Sequence, residues 1–368
     1  MPRHLMSCPI GYRLGARALR EASVIRAPST LYVAGGLYGN LMALDAIEKR
    51  AAKERTAPTI VFNGDFNFFN VAPRWWRELN SRVRDGHIAT AGNVEVESAA
   101  IEASGLGCGC GYPAYVSSGV VERSDRIVAR LRDTAIEAAE PSLLSWLRSL
   151  PKALIAEVGE ERTRVGIVHG DVDSLAGWQL GVEAMEPADA SLRASLGCDA
   201  ESGDATHLPI TPRETVRAWC AEADVKGLLC THTCLPFGQV VEGSEGDAVA
   251  VFNNGSAGMP NFFSETGDHR VGLLTRVSAD LTPPSDSVYG GVANGLRYDA
   301  LPIHYDHDEW LQLFGSMWPE GSDAHLSYYE RLLSGPCGFL PQQAAREGVV
   351  LGSTDRTRAK LIRSVAKQ

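Results

Sequence analysis

Six short apolar runs, each breaking into a turn of glycine and polar residues, constrain this chain more than any other feature. They occupy residues 31–34, 59–62, 87–91, 165–168, 227–230 and 249–252. Runs of four or five such residues bounded by turn signals fit buried strands and are too short for helices. The intervals carry helical spacing instead: Leu41, Leu44 and Ile47 follow Gly39-Asn40, and residues 127–139 and 143–150 repeat the pattern. Strands alternating with helices predict an α/β sheet, in which ligands gather at the strand ends.

Length and charge narrow the class. At 368 residues, 44% of them hydrophobic and 22% charged, the chain can build one large α/β unit with appendages. A net charge of −10 argues against a broad nucleic-acid surface. It still permits an anion pocket, because a metal ion brings its own positive charge. No stretch approaches the roughly 20 apolar residues of a membrane span, and the N-terminus lacks the pattern of a secretory signal. Eight cysteines without a small-scaffold spacing fit reduced thiols, so the expected location is the cytoplasm. Oligomeric state is not fixed by the sequence.

The turns after the strands repeat one chemistry. Asp65, Asn93, His169 and His232 each lie within a few residues of a strand end. A carboxylate, an amide oxygen and two imidazoles suit Mn, Fe or Zn. Taken singly, an Asp or Asn beside glycine is usually turn chemistry and a lone histidine is usually structural. Their recurrence at successive strand ends gives the metal reading its weight.

The ordered segments Asn63-Gly64-Asp65, Gly92-Asn93-Val94-Glu95, Val168-His169-Gly170-Asp171, Thr231-His232-Thr233-Cys234-Leu235-Pro236 and residues 253–258 resemble the calcineurin-like metallophosphoesterases. The resemblance covers roughly residues 31–310. Residues 39–44 and 144–151 resemble that family's first helix and the stretch before its His-Gly strand. It implies a four-layer α/β/β/α sandwich of two mixed sheets, with two metals at the strand ends. It assigns Asp65 as the bridging ligand and Asn93, His169 and His232 as the ligands of the second metal.

The departures fall on one side. Where the family has an Asp-x-His motif, this chain has Gly36-Leu37-Tyr38. Cys234 replaces the last histidine of the Gly-His-x-His motif, so every ligand private to the first metal is changed. The family's general-acid histidine is Val94 here, leaving no catalytic acid assigned. Cys234 with Asp65 is too few ligands for a tight zinc site, which reads Cys234 as a small replacement in an empty half-site and Tyr38 as a filler facing the remaining metal or its water.

The resemblance therefore implies one divalent metal, Mn, Fe or Zn, without a full donor set for a second. Its ligand is a small phosphorylated molecule. The function read is a divergent phosphoesterase, cleaving phosphate mono- or diesters with metal-bound water at reduced activity. The alternative is a catalytically inactive relative that binds a phospholigand or a protein partner. Asn254 and Gly255, with Ser256, offer backbone donors to phosphate or merely close a turn. Asp171 and Asp173 either orient imidazoles or form a polar turn. Cys108-Gly109-Cys110 reads as a glycine-rich loop near the site, and residues 304–308 as a strand-to-helix junction. The domains read as an N-terminal extension over 1–30, the main domain over 31–310, and a C-terminal helical extension over 311–368 packed on the core.

Overall fold

The computed structural model describes residues 10–101, 107–198, 208–243, 247–265 and 270–352. Asp199, Gly203, Asp204 and the basic C-terminal residues from Arg356 onward lie outside them.

Thirteen strands among the described residues form two mixed sheets. Sheet one is built from β1 (Ser23–Ala27), β5 (Ala153–Val158), β6 (Thr163–Val168), β7 (Gly227–Cys230), β8 (Phe237–Glu242) and β9 (Ala248–Asn253). Its order is β1-β5-β6-β7-β9-β8, with β6, β7 and β9 parallel to one another. Sheet two takes β2 (Thr30–Ala34), β3 (Thr59–Asn63), β4 (Ile88–Thr90), β10 (Gly272–Ser278), β11 (Tyr289–Ala293), β12 (Leu296–Ile303) and β13 (Val349–Leu351). Its order is β13-β11-β12-β10-β2-β3-β4, with β2, β3 and β4 parallel.

The twofold periodicity of a strand assigns each face. Leu31 and Val33 pack with Val61, Leu273 and Val277 in the core that includes sheet one. The alternate residues Tyr32 and Ala34 pack with Phe62, Leu274 and Ile303 in a second core, against helices. Both faces of β2 are thus buried, which is why it reads as an unbroken apolar run rather than an alternation.

Helices cover the outer faces. α1 (Ala16–Arg20), α7 (Ala190–Leu196) and α8 (Arg213–Ala223) send Leu19, Leu192, Val216 and Trp219 into the first core. α2 (Leu41–Ala51), α3 (Pro73–Gly86), α5 (Ser118–Glu137), α6 (Pro141–Ser149), α9 (His307–Met317) and α10 (Asp323–Ser334) contribute to the second. Two short helices complete the set, α4 (Asn93–Ala99) behind the site and α11 (Pro341–Ala344) near the C-terminal end. The order of layers is helix, sheet, sheet, helix, as the resemblance implies.

Residues 23–27, inside the stretch set apart as an N-terminal extension, form the edge strand β1 and pair with β5. The boundary at 310/311 falls within α9, and β13 joins sheet two beyond it. Trp310 and Phe314 are fully buried, so α9 belongs to the core it covers. No helix among the described residues is long and apolar enough to cross a membrane.

Candidate metal centre

The two sheets each deliver two donors to one point. Asp65 follows β3 and Asn93 follows β4 in sheet two, whereas His169 follows β6 and His232 follows β7 in sheet one. A side chain joins the sheets directly beneath them. Asn63 Nδ2 donates to the Val168 carbonyl at 2.8 Å and to Thr231 Oγ1 at 2.9 Å, while Asn63 Oδ1 accepts from Thr90 Oγ1 at 2.9 Å. A methyl group on Gly92 would collide with Asp65 Oδ1 and His169, so glycine is required there for the strand ends to approach.

The imidazoles are fixed from behind. His169 Nδ1 donates to the Asn63 carbonyl at 2.8 Å, and His232 Nε2 donates to the Cys110 carbonyl at 3.2 Å. Asn93 turns its amide NH2 outward onto the Cys108 carbonyl at 2.9 Å, which leaves its oxygen facing inward. What remains at the centre is a set of lone pairs. His169 Nε2 stands 3.3 Å from His232 Nδ1, 3.3 Å from Asn93 Oδ1 and 3.4 Å from Asp65 Oδ1.

Two ring nitrogens whose partner N–H groups are already engaged meet lone pair to lone pair unless a proton or a cation sits between them. Donors arranged tetrahedrally about a metal at about 2.1 Å stand about 3.4 Å apart. The separations here match that spacing, and Asp65, His169 and His232 form a buried group able to hold a metal. The chemistry and the geometry of the donor set fit a divalent ion.

The buried groups shift one another's proton affinities. Burial alone would raise the Asp65 carboxyl, but His169 beside it, with His232, holds it below its ordinary value. Burial opposes charge on His169, yet Asp65 lifts its pKa above the usual value. Burial and then the charge of His169 push His232 down to about 4. With His232 neutral, the ring pair carries at most one positive charge near neutrality.

Glu95 holds the Asp65 turn in place. Its carboxylate accepts from the backbone N–H of Asp65 at 2.7 Å, Phe66 at 3.1 Å and Gly92 at 3.0 Å. Burial, reinforced by Asp65, raises it to about 7. Asp65 itself has φ 54°, a left-handed conformation that this clamp sustains. The glutamate stands at the third position of α4, where a capping side chain is expected, so a signal for it exists in the sequence.

Near Asp65 also stand Gly36, Tyr38 and Cys234. A Cβ on Gly36 would lie 2.5 Å from Tyr38 Cε2, so the tyrosine ring covers the place an aspartate at 36 would need. Tyr38 OH lies 2.7 Å from Cys234 Sγ, so it turns to the thiol rather than toward Asn93 and the histidines. Burial pushes both the phenol and the thiol up. Val94 faces the same cavity and presents no titratable group.

Other sequence candidates fall elsewhere. Gly255 and Ser256 spend their backbone N–H groups on Asn253 Oδ1 and Asn261 Oδ1, and Asn254 Nδ2 donates to Thr231 Oγ1. The phosphate expectation for Asn254 and Gly255 gives way to a closed turn, and neither lines the cavity. Asp171 accepts from the backbone of Asp173, Ser174 and Gln179, the polar-turn reading. Asp306 caps α9 by accepting from Glu309 N–H at 2.9 Å. The Cys108–Cys110 loop borders the site: Trp178 Nε1 and His232 Nε2 both donate to the Cys110 carbonyl. Trp178 and Arg331, both on the cavity wall, carry no sequence signal that singles them out.

No protein-family model matches this sequence, and neither does any curated protein. Solved structures do resemble the fold. A hypothetical protein from Pyrococcus horikoshii OT3 is 15% identical, with TM-score 0.49 over 85% of this chain and 99% of that one. A metallophosphoesterase from Sphaerobacter thermophilus is 17% identical, with TM-score 0.44 over 83% and 100%. A predicted phosphoesterase from Streptococcus pneumoniae TIGR4 is 15% identical, with TM-score 0.31 over 76% and 91%.

Proposed function

We propose that this chain is a divergent calcineurin-like metallophosphoesterase that hydrolyses phosphate mono- or diesters with one divalent metal. Asp65, Asn93, His169 and His232 would hold the ion. The observation that carries this is His169 Nε2 standing 3.3–3.4 Å from a donor atom of each of the other three, with the outer histidine nitrogens tied to backbone carbonyls. A bound Mn, Fe or Zn would supply Lewis acidity toward a phosphoryl oxygen and an activated water.

The chain's own residues set the limits. Asn63 and Cys110 fix which nitrogen of each ring faces the centre, so no proton has to be displaced from that side. Trp178 stands edge-on to His232, ring centroids 5.5 Å apart, and screens it from bulk water. Val94 offers no proton to a leaving oxygen, a loss worth on the order of 10²–10⁴ in rate. Reduced turnover follows, and the same observation favours the second reading, a phospholigand-binding relative without turnover.

Elemental analysis of the purified protein, joined to phosphomonoester and phosphodiester assays with added Mn, tests both. The expected result is one metal per chain with slow hydrolysis, both lost in His169→Ala. Two metals per chain would overturn the single-site reading. One metal without hydrolysis selects the binding protein, and no uptake of Mn, Fe or Zn rejects the site.

A further inference from the structure

We propose that Arg331 is the anion-binding group of this cavity, taking the oxygens of a phosphate-type ligand where the first-metal ligands are missing. The inference rests on the proposed function for its ligand class, and its chemistry comes from a helix outside the family-like region.

A cavity of about 120 Å³ is lined by Asp65, Asn93 and His232 together with Tyr38, Cys234 and Arg331. Asp65 is its carboxylate and Arg331 its permanent cation. Arg331 reaches it from α10, near the C-terminal end of the helix, and Nη2 donates to the Cys234 carbonyl at 2.9 Å. That bond anchors the guanidinium beside the position where the family's histidine is replaced. Nε is buried with no hydrogen-bond partner, and no ion pair joins Arg331 to a carboxylate among the described residues.

A guanidinium has five N–H donors, and a buried one left unpaired is costly. The planar fork matches two oxygens of a phosphate, whereas a metal-replacing lysine would act only as a point charge. Tyr328, one turn earlier on α10, lines the same cavity. Tyr112 and Trp178, ring centroids 5.8 Å apart, border it with aromatic surface. The cavity takes a tetrahedral oxyanion and little more, so the organic part of an ester would lie against this rim.

Isothermal titration of the full chain with inorganic phosphate and with phenyl phosphate, in Mn and in EDTA, tests the assignment. R331Q is expected to weaken phosphate binding about tenfold or more while keeping metal content unchanged. R331K, which keeps the charge and loses the fork, should fall between. Tighter binding of phenyl phosphate than of phosphate points to an ester as the ligand, and equal binding points to the free anion. Equal phosphate affinity in wild type and R331Q overturns the proposal, as does a wild type that binds neither probe. Circular dichroism checks folding. If R331Q does not fold, R331K decides: weakening of about threefold or more supports the fork, and unchanged affinity rejects it. Arg331-dependent phosphate binding in a chain that takes up no metal would leave this inference standing and remove the metal reading. Metal uptake with phosphate affinity indifferent to R331Q would do the reverse.

Discussion

Gly36, Tyr38 and Cys234 share one volume. The Tyr38 ring lies where the Cβ of any residue at 36 would begin, and its hydroxyl meets the Cys234 sulfur. An aspartate placed at 36 therefore does not by itself create a second site. Gly36→Asp alone is expected to overpack the ring and destabilise by about 1–3 kcal/mol, without raising metal content above that of the wild type. Urea unfolding and elemental analysis read the two outcomes, and a second metal in the single variant would refute the shared-volume argument. Glu95 illustrates the opposite case, a helix-capping residue whose further hold on the Asp65 turn only the fold reveals. Glu95→Ala leaves three buried N–H groups unpaired and should cost about 3 kcal/mol or more. Its metal affinity should fall too, because the Asp65 turn loses its clamp. At this scale the convergence of Asp65, Asn93, His169 and His232 was legible from their residue types after strands. The carbonyls of Asn63 and Cys110 were not, since a backbone acceptor has no letter in the sequence.

Among the elements, legibility followed the polar turns. The runs at 31–34, 59–62, 165–168, 227–230 and 249–252 fall within β2, β3, β6, β7 and β9, and 87–91 brackets β4. β10 and β11 run antiparallel to β2 and end at the edge away from the site, while β12 ends level with β2 at Ile303 and feeds α9 rather than the donor set. β1 and β13 are edge strands whose partners lie more than a hundred and about sixty residues away respectively, a pairing no local pattern encodes. The C-terminal helices are amphipathic in sequence, but only packing says what they cover. Phe314 of α9 meets Phe69 edge-to-face at 5.2 Å, and Trp318 Nε1 donates to the Phe69 carbonyl at 2.9 Å. Phe314→Ala should cost about 3–5 kcal/mol in thermal or urea melts. A loss under about 1 kcal/mol would mean that α9 is an appendage rather than part of the core.

For the whole molecule, the four-layer order follows from two-sided burial: β2 presents Leu31 and Val33 to one core and Tyr32 and Ala34 to the other. The sequence resemblance carried that architecture, and the independent patterning of β2 agrees with it. Core substitutions far from the ligands become informative on this basis. Val277→Ala, on β10 and fully buried, removes two methyl-sized groups from the first core and is expected to cost about 1–3 kcal/mol. Metal titration of that variant should also show weaker affinity, although residue 277 supplies no ligand. Unchanged affinity beside a measured loss of stability would uncouple the two. The reason is the equal contribution of the sheets, two donors from β3 and β4 and two from β6 and β7. Such a site would act as a clasp that closes on an ion only when the halves are in register, so metal affinity would report on their alignment. A chelator would then act at a distance, loosening the seam between the sheets before it disturbs either sheet alone.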